Sequence, residues 1–395
     1  IGQSVMSLQP MYFDYAATTP VDERVAERMM AHLTRDGIYG NPASRSHLLG
    51  WQAEEAVEDA RSDVADLLGA DSREIVWTSG ATESNNLAIK GVAEQFEPED
   101  CHLIVAATEH KAVLDPARYL EKKGYGLTVV MPDADGVISA ETVAKALQPN
   151  TRLVSIMAAN NETGVLNPVA GIGQLCADND VWFHVDAAQA VGKIPVNVDD
   201  WQATMVSVSA HKFYGPKGVG ALYVRRRSSL KLMPQIHGGG HERGMRSGTL
   251  ATHQLVGMGT AASLVAEHLA DESQRIATLR DQLWQGIADL GDIHINGGQA
   301  PRTPGHLNVH FGGVDGESLM MALRDLAVST GSACTSASVE PSYVLKAMGL
   351  SDQAAHGSLR FSLGRFTTRE EVDQAIHRIR DAVTALRTQA STVAT

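Results

Sequence analysis

Cysteine is scarce in this 395-residue chain: Cys101, Cys176 and Cys334 are the only three. They lie far apart, are odd in number and form no CxxC pair, which argues against a disulfide framework and against a cysteine-rich zinc site. A reducing, cytoplasmic compartment suits such usage. Basic residues are outnumbered, 33 Lys and Arg against 46 Asp and Glu, for a formal net charge of −13. Nucleic acid is not an expected ligand, because a phosphate backbone rewards a clustered basic surface. The one dense basic run, Arg225-Arg226-Arg227, follows an expected strand and reads as its solvated end. Long apolar runs are missing too. No stretch reaches the ~18 residues of a membrane span, so no membrane contact is expected. The opening IGQSVMSLQP has neither the basic start nor the apolar run of a secretory signal.

What the chain does have is apolar content, 44% of its residues, enough for a large core and more than one domain. Thr19-Pro20 reads as a helix start, a hydroxyl cap followed by proline, with Val25, Met29 and Leu33 recurring every four residues and Gly37 as the stop. Ala56, Ala60, Val64 and Leu67 mark a second helical face, closed by Gly69. Apolar strands are expected at 74–78, 103–107, 127–131, 153–157, 181–185, 205–209 and 220–224, mostly with helical segments between them. This alternation predicts an α/β fold built on a mainly parallel seven-stranded sheet covered on both faces. A long helical pattern over 263–290 follows. Short strands near 307–311 and 359–362 and helices near 316–326 and 368–386 then form a smaller α+β domain. The expected division gives 16–262 to the large domain, and 1–15 with 263–395 to the small one.

In open α/β sheets, ligands sit beyond the carboxyl ends of the strands. After 74–78 comes TSGATESNN, where Gly80 permits a tight turn and Ala81 and Thr82 open a helix whose free N–H groups suit a phosphate, or simply an ordinary turn with a hydroxyl cap. TEHKAVLD puts His110 at the next strand end, a place where histidine is often structural. ANNETG brings Asn160 and Asn161, which turn propensity alone also explains. Asp186 ends the 181–185 strand, either as a helix cap or as the carboxylate that a pyridine cofactor needs at its ring nitrogen. SAHKFYGPKG clusters Ser209, His211 and Lys212. A lysine condenses with an aldehyde cofactor. Lys212 is the preferred candidate over Lys217, which sits in a glycine-rich turn.

In 237–249, HGGGHERGMRSGT, two histidines lie four apart, but HExxH is absent and three glycines oppose a helix. No resident metal is expected. That loop reads as one reaching an anion or a partner subunit. The segment 329–342, STGSACTSASVEPS, surrounds Cys334 with small polar residues, an exposed and mobile setting that favours a reactive thiol over a packed one. Cys101 and Cys176 look structural. Arg360, in a strand-like run, is a candidate carboxylate clamp.

Taken in order, FDYAATTP, GNPASRSH, TSGATESNN, TEHKAVLD, NNETG, HVDAAQ, SAHKFYGPKG, HGGGHERGMRSGT and GSACTSASVEPSYVL closely resemble the cysteine desulfurases of the IscS/NifS type. These are pyridoxal phosphate (PLP) enzymes of the fold-type-I transferase class. The resemblance implies that Lys212 holds PLP, that Asp186 pairs with its ring nitrogen, that His110 stacks on the ring and moves protons, and that Gln189 meets the phenolic oxygen. Ala81, Thr82, Ser209 and His211 would bind the phosphate, with Thr249 reaching it from the other subunit of a homodimer. Asn161 would lie near the cofactor and, with Arg360, hold the carboxylate of the substrate L-cysteine. Cys334 would take the sulfur as a persulfide, for small sulfur-carrier proteins or an iron–sulfur scaffold, and would be a transient ligand of a cluster shared with that scaffold. Relatives usually continue past the last helix into a scaffold-docking tail, whereas the sequence here ends at ALRTQASTVAT, a departure that leaves open whether a scaffold docks there. Another fold-type-I PLP enzyme, such as a selenocysteine lyase, would keep Lys212 and Asp186 without needing Cys334. A cofactor-free persulfide adaptor would need Cys334 alone.

Overall fold

The computed structural model describes residues 9–226, 230–330 and 340–393. Arg227 and Cys334 lie outside them. The chain opens with β1 (Met11–Tyr12), α1 (Glu23–Met30) and α2 (Leu48–Leu68). Strands and helices then alternate: β2 (Ile75–Thr78), α3 (Ala81–Ala93), β3 (His102–Ala106), α4 (Lys111–Lys122), β4 (Gly126–Val130), α5 (Ala140–Ala146), β5 (Thr151–Ser155), α6 (Val169–Asp178) and β6 (Trp182–Asp186). Next come β7 (Met205–Ser209), β8 (Gly220–Val224) and the long α7 (Thr252–Ile287). The last stretch holds β9 (Ile293–Ile295), β10 (His306–Phe311), α8 (Gly316–Ala322), β11 (Leu326–Ala327), α9 (Tyr343–Ala347), α10 (Asp352–His356), β12 (Ser358–Ser362) and α11 (Arg369–Val393).

Seven strands form one sheet in the order β2-β8-β7-β6-β5-β3-β4. Strands β3 to β7 are parallel, and β8 runs antiparallel to both β7 and β2. The reversal follows from the 210–219 connection, which is too short to carry a crossover helix. Side chains alternate between two cores. Ile75, Trp77, Ile104 and Ala106 face α2, α6 and the first half of α7, whereas Val76, Leu103 and Val105 face α3 and α4. Each of the seven expected strands is present; 205–209 and 220–224 coincide with the expectation, and the others are shifted by one or two residues at one end or both.

A three-stranded antiparallel sheet, β12-β10-β9, holds a separate core with the second half of α7 and with α11. Phe13 is buried there, and β1 pairs in parallel with β11.

Two local expectations are corrected. Thr19 does not cap the first helix; Asp22 does, its carboxylate accepting from Arg24 N. The Thr19 hydroxyl instead donates to the carbonyl of His211 (2.9 Å) and accepts from Tyr214 N (2.8 Å), so Thr19 fastens the start of the chain to the segment after β7. On α2 the expected Ala60 and Val64 are buried, whereas Ala56 and Leu67 are only partly so; Ala53, Val57, Arg61, Ala65 and Leu68 complete the buried face. Gly69 ends α2 at φ 69°, the left-handed conformation that favours glycine.

Candidate active site

The carboxyl ends of the parallel strands open onto a cavity of ≈ 530 Å³. At its floor α3 begins at Gly80 with no side-chain cap, which leaves its first N–H groups facing the cavity beside Ala81 and Thr82. Backbones crowd here. A Cβ on Gly220 would stand 2.6 Å from Gly80 Cα and 2.5 Å from Val208 O, so glycine at 220 lets β8 pass behind the turn. Ser209, which ends β7, faces the same turn.

Asp186 is the last residue of β6 and is buried. Asn85 Nδ2 donates to its Oδ2 (2.9 Å) and Ala188 N to its Oδ1 (3.0 Å). The turn after β7 brings Lys212 in from the neighbouring strand end. Its Nζ donates to the carbonyls of Ala16 (2.8 Å) and Ala17 (2.7 Å). Lys217 also borders the cavity but is exposed. Gln189 bridges from Ala16 O (2.8 Å) to Lys193 Nζ (2.5 Å). His211 contacts Thr18 Oγ1 through Nδ1 (3.0 Å); burial, with Lys212 nearby, pushes its pKa down to about 4.

His110 caps α4, its Nδ1 accepting from Ala112 N (3.0 Å). The ring proton therefore sits on Nε2 in the neutral form. Burial lowers its pKa, with the positive charge of Lys212 acting in the same direction against the pull of Asp186. Opposite, Arg360 of β12 donates through Nη1 to Asn161 O (2.7 Å) and through Nη2 to Asp14 Oδ1 (2.8 Å). Its Nε and the Asn161 Oδ1 are buried and have no partner among the described residues.

The structure thus brings Ala81, Thr82, His110, Asn161, Asp186, Gln189, Ser209, His211, Lys212 and Arg360 to one cavity. Thr249 is exposed and does not line it. Cys101 and Cys176 are buried, and burial pushes their thiols up to about 11 and about 12.

Residues that were not singled out from the sequence complete the site. Asn85 lies on the buried stripe of α3 with Ile89 and Val92, and a lone amide on an otherwise apolar stripe was its available signal. Asp14 lies in the FDYAATTP segment, but nothing beside it in the chain points to Arg360. Glu109 is fully buried, with Oε1 accepting from Met157 N (2.8 Å), and burial raises its pKa well above the usual range. Glu162 accepts a hydrogen bond from Ser342, and burial lifts its pKa to about 7.

This set fits PLP. An uncapped helix start suits the phosphate, a lysine suits the aldehyde, and a buried carboxylate suits the pyridine nitrogen. The aminotransferase class-V profile matches residues 11–375.

The chain belongs to the class-V aminotransferase family.

Within it, the chain is 59% identical to the cysteine desulfurase IscS of Shewanella frigidimarina (strain NCIMB 400), over 96% of this chain and 94% of that protein. It is 61% identical to the cysteine desulfurase IscS of Aeromonas salmonicida (strain A449), with the same coverage. Among solved structures, a NifS-like protein superposes with a TM-score of 0.88 at 38% identity, covering 95% of this chain and 100% of that one. SspA in complex with cysteine superposes with a TM-score of 0.81 at 40% identity, covering 91% and 100%.

Proposed function

We propose that the protein is a PLP-dependent cysteine desulfurase that converts L-cysteine to L-alanine and takes the sulfur as a persulfide on Cys334. The observation that carries this reading is the convergence of Lys212, Asp186, His110 and Arg360 on one cavity beside an uncapped helix start. When bound, PLP supplies the electron sink that loosens the substrate Cα proton and the Cβ–S bond.

The side chains have separate tasks. The N–H groups at Ala81 and Thr82, with Ser209, His211 and the partner subunit's Thr249, would hold the phosphate. Lys212 would hold the cofactor through its amine. Asp186, held by Asn85, keeps a proton on the pyridine nitrogen. Gln189 orients toward the phenolic oxygen. His110, a neutral imidazole lining the cavity, would relay protons beside the cofactor. Arg360 keeps its Nε without a partner among the described residues, a donor for the substrate carboxylate, and Asn161 would add its side-chain amide N–H. The Cys334 thiolate attacks the substrate sulfur. An S–S bond forms, the Cβ–S bond breaks with its electron pair left on Cβ, and Cβ takes a proton to become the methyl group of alanine.

The working form in this reading is a cytoplasmic homodimer. Tyr39, Leu48, Leu49 and Trp51 leave an apolar stretch exposed around the start of α2, which a second copy would cover. The acceptors are small sulfur-carrier proteins and an iron–sulfur scaffold. The two domains in this reading are 16–262 and 1–15 with 263–395, although along α7 the packing changes core later than that boundary, between Leu269, which packs against the first core, and Ile276, which packs in the second. The test is direct. Purified protein should be yellow and should release alanine and sulfide from L-cysteine in equal amounts when reductant is present. A colourless, inert protein would contradict the reading.

A further inference from the structure

Among the described residues strand β2 is an edge strand, pairing with β8 alone in the sheet order. Side chains occupy its other edge. Glu242 Oε2 accepts from Trp77 N (2.8 Å), and Ile75 O accepts from Arg61 Nη1 (2.9 Å) and Arg243 Nη2 (3.2 Å). Arg61 and Glu242 face each other in a two-pronged pair, Nη1 to Oε2 at 2.7 Å and Nη2 to Oε1 at 3.0 Å. Their side chains are only 7% and 2% exposed. The Arg61 guanidinium also lies over the Trp77 ring, 5.5 Å from its centroid.

The backbone is strained to make these contacts. Glu242 and Arg243 are consecutive non-glycine residues at φ 52° and 55°, a conformation that costs energy and persists only where surroundings enforce it. A second tether follows, Arg246 to Glu83 at 3.1 Å, with Glu83 in the first turn of α3 beside the cavity. Thr249 stands three residues later, exposed and outside its own chain's cavity. A loop pinned twice and ending on an exposed threonine has the build of a presenting device.

We infer that Arg61 and Glu242 are a positioning pair that sets the 237–249 loop, and so Thr249, for the cofactor phosphate of the partner subunit. This rests on the homodimer reading above. Neither residue touches the cofactor, and their effect is felt in the other protomer. Arg61 also pairs with the half-exposed Glu58 (3.0 Å), so changing Glu242 leaves it one carboxylate but removes the two-pronged contact that reaches the loop, and the loop shifts once either partner is changed.

The test uses mixed dimers of differently tagged chains, one of them carrying Lys212→Ala, so that a single intact lysine site remains. The Thr249 that serves this site belongs to the Lys212→Ala chain. Adding Glu242→Gln to that chain should weaken PLP binding at the intact site about tenfold or more, read as the PLP dissociation constant from visible absorption. Placing Glu242→Gln on the chain with the intact lysine should leave that constant unchanged. Arg61→Lys, which keeps the charge but loses the fork, should repeat the pattern if Glu242→Gln chains fold poorly. Equal weakening in both arrangements, or weakening only in the second, would overturn the inference. Thr249→Ala on the Lys212→Ala chain is the benchmark. If it has no effect across the interface, the composite-site reading itself fails. If it acts and Glu242→Gln does not, only the positioning role fails.

Discussion

Asp14 and Arg360, 346 positions apart in the chain, form an ion pair at the cavity wall, with 2.8 Å between Oδ1 and Nη2. The Arg360 side chain is only 4% exposed, and Asn161 O holds its other terminal nitrogen. The guanidinium is therefore fixed before any substrate arrives, which spares substrate binding the cost of ordering it.

Arg360→Ala should raise the KM for cysteine by roughly 10- to 150-fold, the worth of a charged hydrogen-bonded contact, while the PLP absorption stays as in wild type. Arg360→Lys should recover only part of the loss, because an ammonium lacks the planar fork. An unchanged KM in Arg360→Ala would mean that another cation holds the carboxylate.

The two lysines at the cavity differ in setting. Lys212 is held by two carbonyls inside, and Lys217 is exposed at the rim. Borohydride reduction of the PLP-loaded protein, followed by peptide mapping, should place the label on the peptide containing Lys212. Lys212→Ala should lose the covalent label. A label on Lys217 would reverse the assignment.

Asn85 tests the support of Asp186. Asn85→Ala removes the 2.9 Å bond to Oδ2 and should lower kcat about tenfold. Asn85→Asp should be worse, since a second carboxylate against Asp186 favours sharing one proton and weakens the anion offered to the ring nitrogen. Stopped-flow absorption with cysteine separates the two. Equal rates in wild type and Asn85→Asp would show that Asp186 needs no such support.

The legible parts of this fold were those carried by neighbours in the chain. Apolar runs of strand length gave the central sheet, and the residues that follow each run, His110, Asp186 and Lys212, were legible because parallel strands must end on the same side. What joins distant segments left no local mark. Arg61 looks like a surface residue of an amphipathic helix until Glu242 is brought against it. Thr19 beside Pro20 fits a cap until His211 and Tyr214 claim its hydroxyl. Asp14 becomes meaningful only when β12 is laid beside the start of the chain, with Asp14 bridged to Ser362. Cys334, read from the composition around it, falls outside the described residues.

Glu162 gives a pH signature. Burial lifts its carboxyl from 4.5 to about 7, against the opposing pull of Ser342 and Arg360. A carboxyl with a raised folded-state pKa contributes stability that is fully present below its unfolded value and is lost as pH rises through 7. Glu162→Gln removes that loss. Relative to wild type, it should gain about 1 kcal/mol in unfolding free energy between pH 6 and pH 8, measured by urea titration. A gap between the two proteins that does not change with pH would show that Glu162 is not the group titrating there.

The role of Cys334 is settled by mass. After brief exposure to L-cysteine without reductant, wild-type protein should carry one or more added sulfur atoms on the peptide containing Cys334, and none on those with the buried Cys101 and Cys176. Cys334→Ala should bind PLP normally and carry no added sulfur. If Cys334→Ala instead releases alanine and sulfide at the wild-type rate, sulfur leaves without a persulfide and the protein is a lyase.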